Sequence, residues 1–314
     1  MGMLDGKVAI ITGAGRGLGR EEALAMAEEG CQLVVNDIGG AFDGTGVETK
    51  VVDQVVEDCK QLGAKVVANY DSVADFNKAK AMIDQAISEF GKLDIMVNNA
   101  GILRDRMIFN MSESDFDGVI AVHLKGTFNL TRHASAYFRE QGKANPKLKN
   151  FGRIINTASD SGLIGNVGQS NYGAAKAGIA AFTVITAAEL KKYATVNCVV
   201  PSARTRMTTD ATPKMAGFMK MKSKAGFDVF NPSHFAPLVV FLASDEARRI
   251  TGEVFRAIGD KVWVYQGWHT VNRIDNNGEP FTPQILAERV KSVLLKGIPK
   301  KAESASMAEE LFGS

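Results

Sequence analysis

Tyr172 and Lys176 stand four residues apart at the start of an Ala-rich stretch, so on a helix their side chains share one face. Ser159 lies thirteen residues before Tyr172, at the expected end of a strand. On its own a phenol and an amine at this spacing is an ordinary solvated helix surface, but the context narrows it. Directly after the first apolar run comes TGAGRGLG, Thr12 to Gly19, followed by a helical pattern. Glycines there let the backbone turn sharply and approach a pyrophosphate, and the free N–H groups at the helix start supply partial positive charge. Gly13, Gly15, Arg16, Gly17, Leu18 and Gly19 are therefore the expected contacts of a dinucleotide.

Asp37 ends the second apolar run, where the adenosine ribose should lie, and its carboxylate can accept hydrogen bonds from both ribose hydroxyls. A 2′-phosphate would be repelled there, which favours NAD over NADP. Arg16 pulls the other way, since a cation in the turn could pair with that phosphate. The carboxylate weighs more because it penalises NADP directly. Asp71 and Ser72 close the third run within reach of the adenine edge, and the NNAG segment with Asn98, Ala100 and Gly101 closes the fourth. Ends of successive parallel strands converge on one crevice, the place where open α/β sheets bind ligands.

Seven short, nearly continuous apolar runs supply those ends: Val8 to Thr12, Gln32 to Asp37, Lys65 to Tyr70, Leu93 to Val97, Arg153 to Ser159, Thr195 to Val200 and Glu253 to Ile258. Helical stretches separate them, among them Leu18 to Glu29, Val47 to Leu62, Asp75 to Phe90 and Ala174 to Lys192. Alternation of this kind predicts a doubly wound α/β (Rossmann) fold, a seven-stranded parallel sheet with helices on both faces. Residues 1–258 form the expected nucleotide-binding and catalytic domain. Residues 259–314 form a C-terminal extension that packs on the same domain or on a neighbouring subunit. It carries an aromatic cluster, Trp263, Tyr265 and Trp268, and an amphipathic helix over Thr282 to Leu295, and it frays over its last dozen residues. The Gly-rich loop Gly39 to Gly46 should be mobile without a ligand, and Gln141 to Asn150 should be a surface connection.

With these residues in view, the chain from about Asp5 to Ala257 resembles the short-chain dehydrogenase/reductase family. The resemblance implies catalysis by Ser159, Tyr172 and Lys176. A phenol near pKa 10 is a poor base at neutral pH, but an adjacent ammonium and a cationic nicotinamide favour its phenolate. Tyr172 would take the substrate hydroxyl proton as hydride leaves the carbinol carbon, Ser159 would hold the substrate oxygen, and Lys176 would also grip the nicotinamide ribose. The family usually carries an asparagine in a proton-relaying water chain; here His123 takes that position. The usual Pro-Gly after the sixth strand is Pro201-Ser202, and Thr205 is the candidate for the nearby carboxamide contact. A narrower likeness rests on NDIGGAFDGTG, VVANYDSV, VNNAGILRDR, HLKGTF and ARTRMT. These are similar to the dehydrogenase part of peroxisomal multifunctional enzyme type 2 (D-bifunctional protein) and its stand-alone bacterial relatives, which implies NAD-dependent oxidation of a (3R)-hydroxyacyl-CoA, fatty or steroidal.

Two rivals stay open: a dehydrogenase of a free secondary alcohol such as a hydroxysteroid, and a non-catalytic NAD-binding regulator. The substrate pocket is expected from Leu163 to Gln169 and from Met207 to Phe230, a stretch holding Met207, Met215, Met219 and Met221. Arg104, Arg106, Arg204 and Arg206 fall near the rim, where an acyl-CoA would need cations. Ala174 to Leu190 is apolar or small on most faces, which predicts that a neighbouring subunit covers part of it, and the family resemblance implies a homodimer or homotetramer. The 314 residues carry 37 basic and 35 acidic side chains, with no run of four or more cations, which disfavours nucleic acid as a partner. Three cysteines, Cys31, Cys59 and Cys198, have neither disulfide nor metal spacing and fit a reducing compartment. No apolar run is long enough for a membrane span, and LFGS is not a peroxisomal signal, so a cytoplasmic enzyme is expected.

Overall fold

Helices that cover both faces leave neither side of a sheet wet, and the strands are built accordingly. β1 (Val8–Thr12), β4 (Ile95–Asn98), β5 (Gly152–Thr157) and β6 (Ala194–Pro201) are buried at nearly every position. The computed structural model describes residues 2–209, 217, 219–220 and 226–298. With β2 (Gln32–Asn36), β3 (Val66–Asn69) and β7 (Val254–Ile258), the strands form one sheet in the order β3-β2-β1-β4-β5-β6-β7-β8. β1 to β7 pair in parallel, and the chain reverses its direction of growth between β1 and β4. That reversal opens a crevice at the C-terminal strand ends.

The expected seven-stranded, wholly parallel sheet needs correction. An eighth strand, β8 (Lys261–Tyr265), returns antiparallel along β7, with Ile258 opposite Lys261 and Val254 opposite Tyr265. A two-residue turn, Gly259-Asp260, joins them, with Gly259 at φ +57°. The compact unit therefore runs to Tyr265 rather than ending at residue 258. Of the three aromatic residues expected to cluster, Trp263 and Tyr265 belong to this strand, and Trp268 belongs to the following unit.

One apolar layer lies beneath α1 (Gly17–Glu28), α2 (Lys50–Gln61) and the helix Ala236–Ala243, and includes Ile11, Met26, Val35 and Val239. The other lies beneath α3 (Phe76–Phe90) and α5 (Gly126–Ala144), and includes Ile10, Met82, Phe138 and Val196. Local signals set the boundaries. Asp75 caps α3 by accepting from the backbone N–H of Asn77 and Lys78, and Gly91 ends it in the left-handed region. Ser112 and Asp115 form a reciprocal cap on α4 (Glu113–Ile120), which passes through a π-helical turn, Ala121–Lys125, into α5.

Taken by itself, the unit from Gln266 onward has a helix Pro283–Arg289, capped by Thr282, and a π-helical turn Val290–Leu294. Asn272 Nδ2 donates to Leu294 O at 2.9 Å and Arg289 Nη1 to Asp275 O at 2.8 Å, yet none of its described residues is buried. The last dozen residues, and Met215 and Met221, lie outside the described residues. Among the described residues no helix is long and apolar enough to cross a membrane.

Candidate active site

The crevice at the reversal point encloses about 380 Å³. Gly13, Arg16, Gly17 and Leu18 line it from the β1–α1 turn, Asp37 from the end of β2, and Asp71 and Ser72 from the end of β3. Ala100 and Gly101 line it from the end of β4, and Thr205 closes it opposite Gly17. Gly15 and Gly19 are not lining residues; they make the turn possible. A Cβ at Gly19 would stand 2.4 Å from Gly13 O and 2.6 Å from Asn99 Nδ2, so only a bare α-carbon lets the helix start this close to the turn. Asp37 is held in place by two backbone donors, Gly15 N at 3.0 Å to Oδ2 and Gly39 N at 2.7 Å to Oδ1.

Asn98 departs from expectation. It donates to Asn156 Oδ1 at 2.8 Å and to Thr131 Oγ1 at 3.1 Å, tying β4 to β5 and α5 inside the core rather than lining the crevice. Its neighbour Asn99 lines the crevice instead and donates to Thr12 O at 3.0 Å and Gly13 O at 3.2 Å, bracing the Gly-rich turn. Strand alternation, which sends one of two adjacent asparagines inward, is the signal that would have distinguished them. Glu48 was also missed: it forms an ion pair with Arg16 beside Asp37, so the cation of the turn is already engaged by a carboxylate. The Gly39 to Gly46 loop is tied down, since Leu103 N donates to Phe42 O at 2.8 Å and Arg104 Nε to Asp43 O at 2.9 Å.

Ser159, Tyr172 and Lys176 come together beside this crevice, although they are not among the residues that line it. α7 (Ser170–Glu189) starts four residues earlier than expected and places Tyr172 in its first turn. Ser159 caps a short helical turn, α6 (Asp160–Leu163), by accepting from Ser161 N, and its hydroxyl lies on the side of the Tyr172 phenol, where it favours the phenolate. Lys176 Nζ lies 5.5 Å from the centre of the Tyr172 ring and donates to Thr157 O at 2.5 Å. Burial pushes the amine down to about 8. It pushes the phenol up to about 12, reinforced by Asp105 and Asp160 and only partly opposed by Ser159. In the free chain, then, burial outweighs the neighbouring amine and the phenol keeps its proton.

His123 sits in the π-helical turn, edge-on to Tyr172 with ring centres 5.1 Å apart. Its Nε2 lies 2.8 Å from Ile102 O and 3.0 Å from Ile102 N, while Nδ1 is buried without a partner among the described residues. Burial, reinforced by Lys176, pushes it down to about 3, so the imidazole is neutral. Of the rim arginines, Arg204 is committed to Asp228 and Met219 O, and Arg104 to Asp43 O and Ser114 O. Among the described residues, the Arg106 guanidinium donates to Asp105 O and that of Arg206 to Gly40 O. Met207 lines the crevice and Met219 is buried.

A family model described as short chain dehydrogenase matches residues 7–216. The chain belongs to the short-chain dehydrogenase family. Among curated relatives of this short-chain dehydrogenase, hydroxyacyl-CoA dehydrogenase ChsB1 of Mycobacterium tuberculosis is 41% identical over 304 residues, covering 96% of this chain and 93% of that one. Peroxisomal multifunctional enzyme type 2 of Mus musculus is 36% identical over 292 residues, 92% of this chain but 37% of that longer protein. The crystal structure of a short chain dehydrogenase from Mycobacterium avium superimposes with a TM-score of 0.83 at 44% identity, over the full length of both chains.

Proposed function

We propose that this short-chain dehydrogenase oxidises the hydroxyl of a (3R)-hydroxyacyl-CoA, fatty or steroidal, to the 3-keto thioester with NAD. The observation that carries the reading is the meeting of Ser159, Tyr172 and Lys176 beside a crevice shaped for a dinucleotide, in a chain alike over nearly its whole length to a hydroxyacyl-CoA dehydrogenase. The crevice fits the cofactor: the Gly-rich turn offers backbone N–H groups to a pyrophosphate, and Asp37 stands at the ribose end. Glu48 on Arg16 puts a second carboxylate there, which favours NAD over NADP. Asp71, Ser72, Ala100, Gly101 and Thr205 would complete the cradle.

When bound, the cofactor supplies a hydride acceptor and a positive charge. Ser159 orients the substrate oxygen by hydrogen bond, and Tyr172, protonated in the free chain but favoured as phenolate by that positive charge, accepts the hydroxyl proton as the carbinol C–H bond breaks. Lys176, with its burial-weakened affinity for a proton, holds the nicotinamide ribose and sheds or takes up that proton. The bare Nδ1 of neutral His123 continues the path outward. Exposed apolar side chains on α7 and α5, including Val184, Ile185 and Phe128, support a homo-oligomer with this face covered. Location in the cytoplasm accords with buried, unpaired cysteines.

The test is NADH absorbance with a panel of (3R)- and (3S)-hydroxyacyl-CoA esters and free secondary alcohols. Turnover of (3R)-thioesters is expected. Reaction with free alcohols alone would remove the CoA reading, and NAD binding without any turnover would make the chain a regulator.

A further inference from the structure

Asp160 immediately follows Ser159 and is the first residue of α6. Its carboxylate accepts one hydrogen bond from each of the next three strands outward. Ser202 Oγ, just past β6, donates to Oδ2 at 3.3 Å, and Arg256 Nε in β7 donates to the same oxygen at 3.2 Å. The Tyr265 phenol, at the end of β8, donates to Oδ1 at 2.6 Å. The Arg256 side chain is only 5% exposed, and its guanidinium lies 4.8 Å from the centre of the Trp263 ring. Taking such a pair out of water costs about as much as the attraction returns, so stability alone is a weak reason to build it.

On its other side the same turn is pressed against the helix that bears Tyr172. A Cβ at Gly162 would stand 2.4 Å from Ala177 N and 2.7 Å from Lys176 C, so only glycine lets α6 reach α7 at this distance. Locally, Ser159 is loosely held: its hydroxyl accepts from Ser161 N at 3.3 Å. The turn is therefore fixed from both flanks rather than from within. A reacting group displaced by about 1 Å loses on the order of 100-fold in rate, which gives such a clamp a function.

We propose that Asp160, held by Ser202, Arg256 and Tyr265, is a positioning residue for Ser159, and that β8, beyond the family match at residue 216, is thereby coupled to the reaction. This rests on the reading of Ser159 as the group that orients the substrate oxygen. Asp160 also contributes to the field at Tyr172, which faces Ser159 and Asp160 after β5, Asp105 after β4, His123 on the π-helical turn and Lys176 on its own helix.

The experiment compares Tyr265→Phe, Asp160→Asn and Ser159→Ala in the full-length protein, with kcat, KM and NAD affinity measured for each. Tyr265→Phe keeps the ring and removes one donor, so it folds even if Asp160→Asn does not. It should lower kcat about 3- to 10-fold and Asp160→Asn about 10- to 100-fold, with KM and NAD affinity within about twofold. Added to Ser159→Ala, Tyr265→Phe should have no further effect on residual turnover, because the group it positions is gone. In Asp160→Asn, loss of a negative charge facing Tyr172 should move the midpoint of the oxidation rate to lower pH, a change that a purely structural role would not produce. Unchanged kcat in Tyr265→Phe, or an equal loss with and without Ser159, would overturn the positioning role. Full activity of Ser159→Ala would instead remove the reading of Ser159 beneath it, and the proposal with it.

Discussion

Glu22 lies on the buried face of α1, and both carboxyl oxygens are shielded without a hydrogen-bond partner among the described residues. Burial pushes this carboxyl up to about 8 from an ordinary value of 4.5. As pH rises past 4.5 the unfolded chain releases the proton while the folded one keeps it until about 8, so the folded state binds more protons across that window. Stability must then fall as pH rises: the contribution of Glu22 is fully present below 4.5 and is lost as pH passes through 8. At about 1.4 kcal/mol for each pH unit, holding the proton at neutral pH costs roughly 3 kcal/mol, and the cost levels off near roughly 5 kcal/mol above the folded value. Glu22→Gln keeps the shape and removes the ionisation. It leaves unpaired amide donors where the acid had an unpaired hydroxyl, so wild type and variant should be nearly equal in urea unfolding at about pH 5. At about pH 8.5 the variant should be more stable by roughly 3 to 5 kcal/mol, a large share of the 5–15 kcal/mol typical of a folded domain. A stability difference that stays constant from acid to alkaline pH would refute the assignment of an uncharged carboxyl to this site. The position matters for binding too. Glu22 is five residues beyond the start of α1, about 7.5 Å along the axis from the end that would face a pyrophosphate. Its ionisation should therefore make NAD binding fall more steeply at alkaline pH in the wild type than in Glu22→Gln.

Tyr172→Phe should reduce turnover by three orders of magnitude or more, on the order of a lost acid–base group, while NAD affinity stays within a few fold; unchanged turnover would remove Tyr172 from the chemistry. Asp37→Ala should relax the preference for NAD over NADP by about tenfold or more, from loss of the ribose acceptor, and an unaltered ratio of kcat/KM values would reject that role. Gly19→Ala should abolish NAD binding in calorimetry with the fold retained by circular dichroism, because the added methyl meets Gly13 O at 2.4 Å; binding at wild-type affinity would show that the turn can open. In the cofactor-free protein, the difference in phenolate absorbance between wild type and Tyr172→Phe should be absent at pH 9 and develop only towards about 12, since burial raises this phenol. A phenolate signal near neutral pH would mean that the amine of Lys176 dominates after all.

The parallel part of the sheet was legible because strands covered on both faces read as unbroken apolar runs, and seven of the eight stood where those runs are. β8 was not, for the opposite reason: KVWVY alternates between half-buried and exposed positions, as an edge strand does, and its Trp263 and Tyr265 read instead as part of an aromatic cluster in the C-terminal extension. The signal that would have found it is Gly259-Asp260, a two-residue link of hairpin type between two β-rich runs. In the crevice, residues whose task is set by local backbone were readable. The Gly-rich turn needs glycine by its own geometry, and Tyr172 and Lys176 share a face by helical spacing alone. Residues whose task exists only through a distant partner were not. Glu48 acquires its role by meeting Arg16, and Asn99 by meeting the carbonyls of the Gly-rich turn. Asp160 is the extreme case, since its donors Arg256 and Tyr265 lie 96 and 105 residues further along the chain. Nothing in SDSG distinguishes that carboxylate from a helix-start residue placed to suit the dipole. Only the sheet order, which brings β6, β7 and β8 in succession alongside β5, turns it into a junction, so the part of the site carried by long-range pairing follows from topology rather than from any motif.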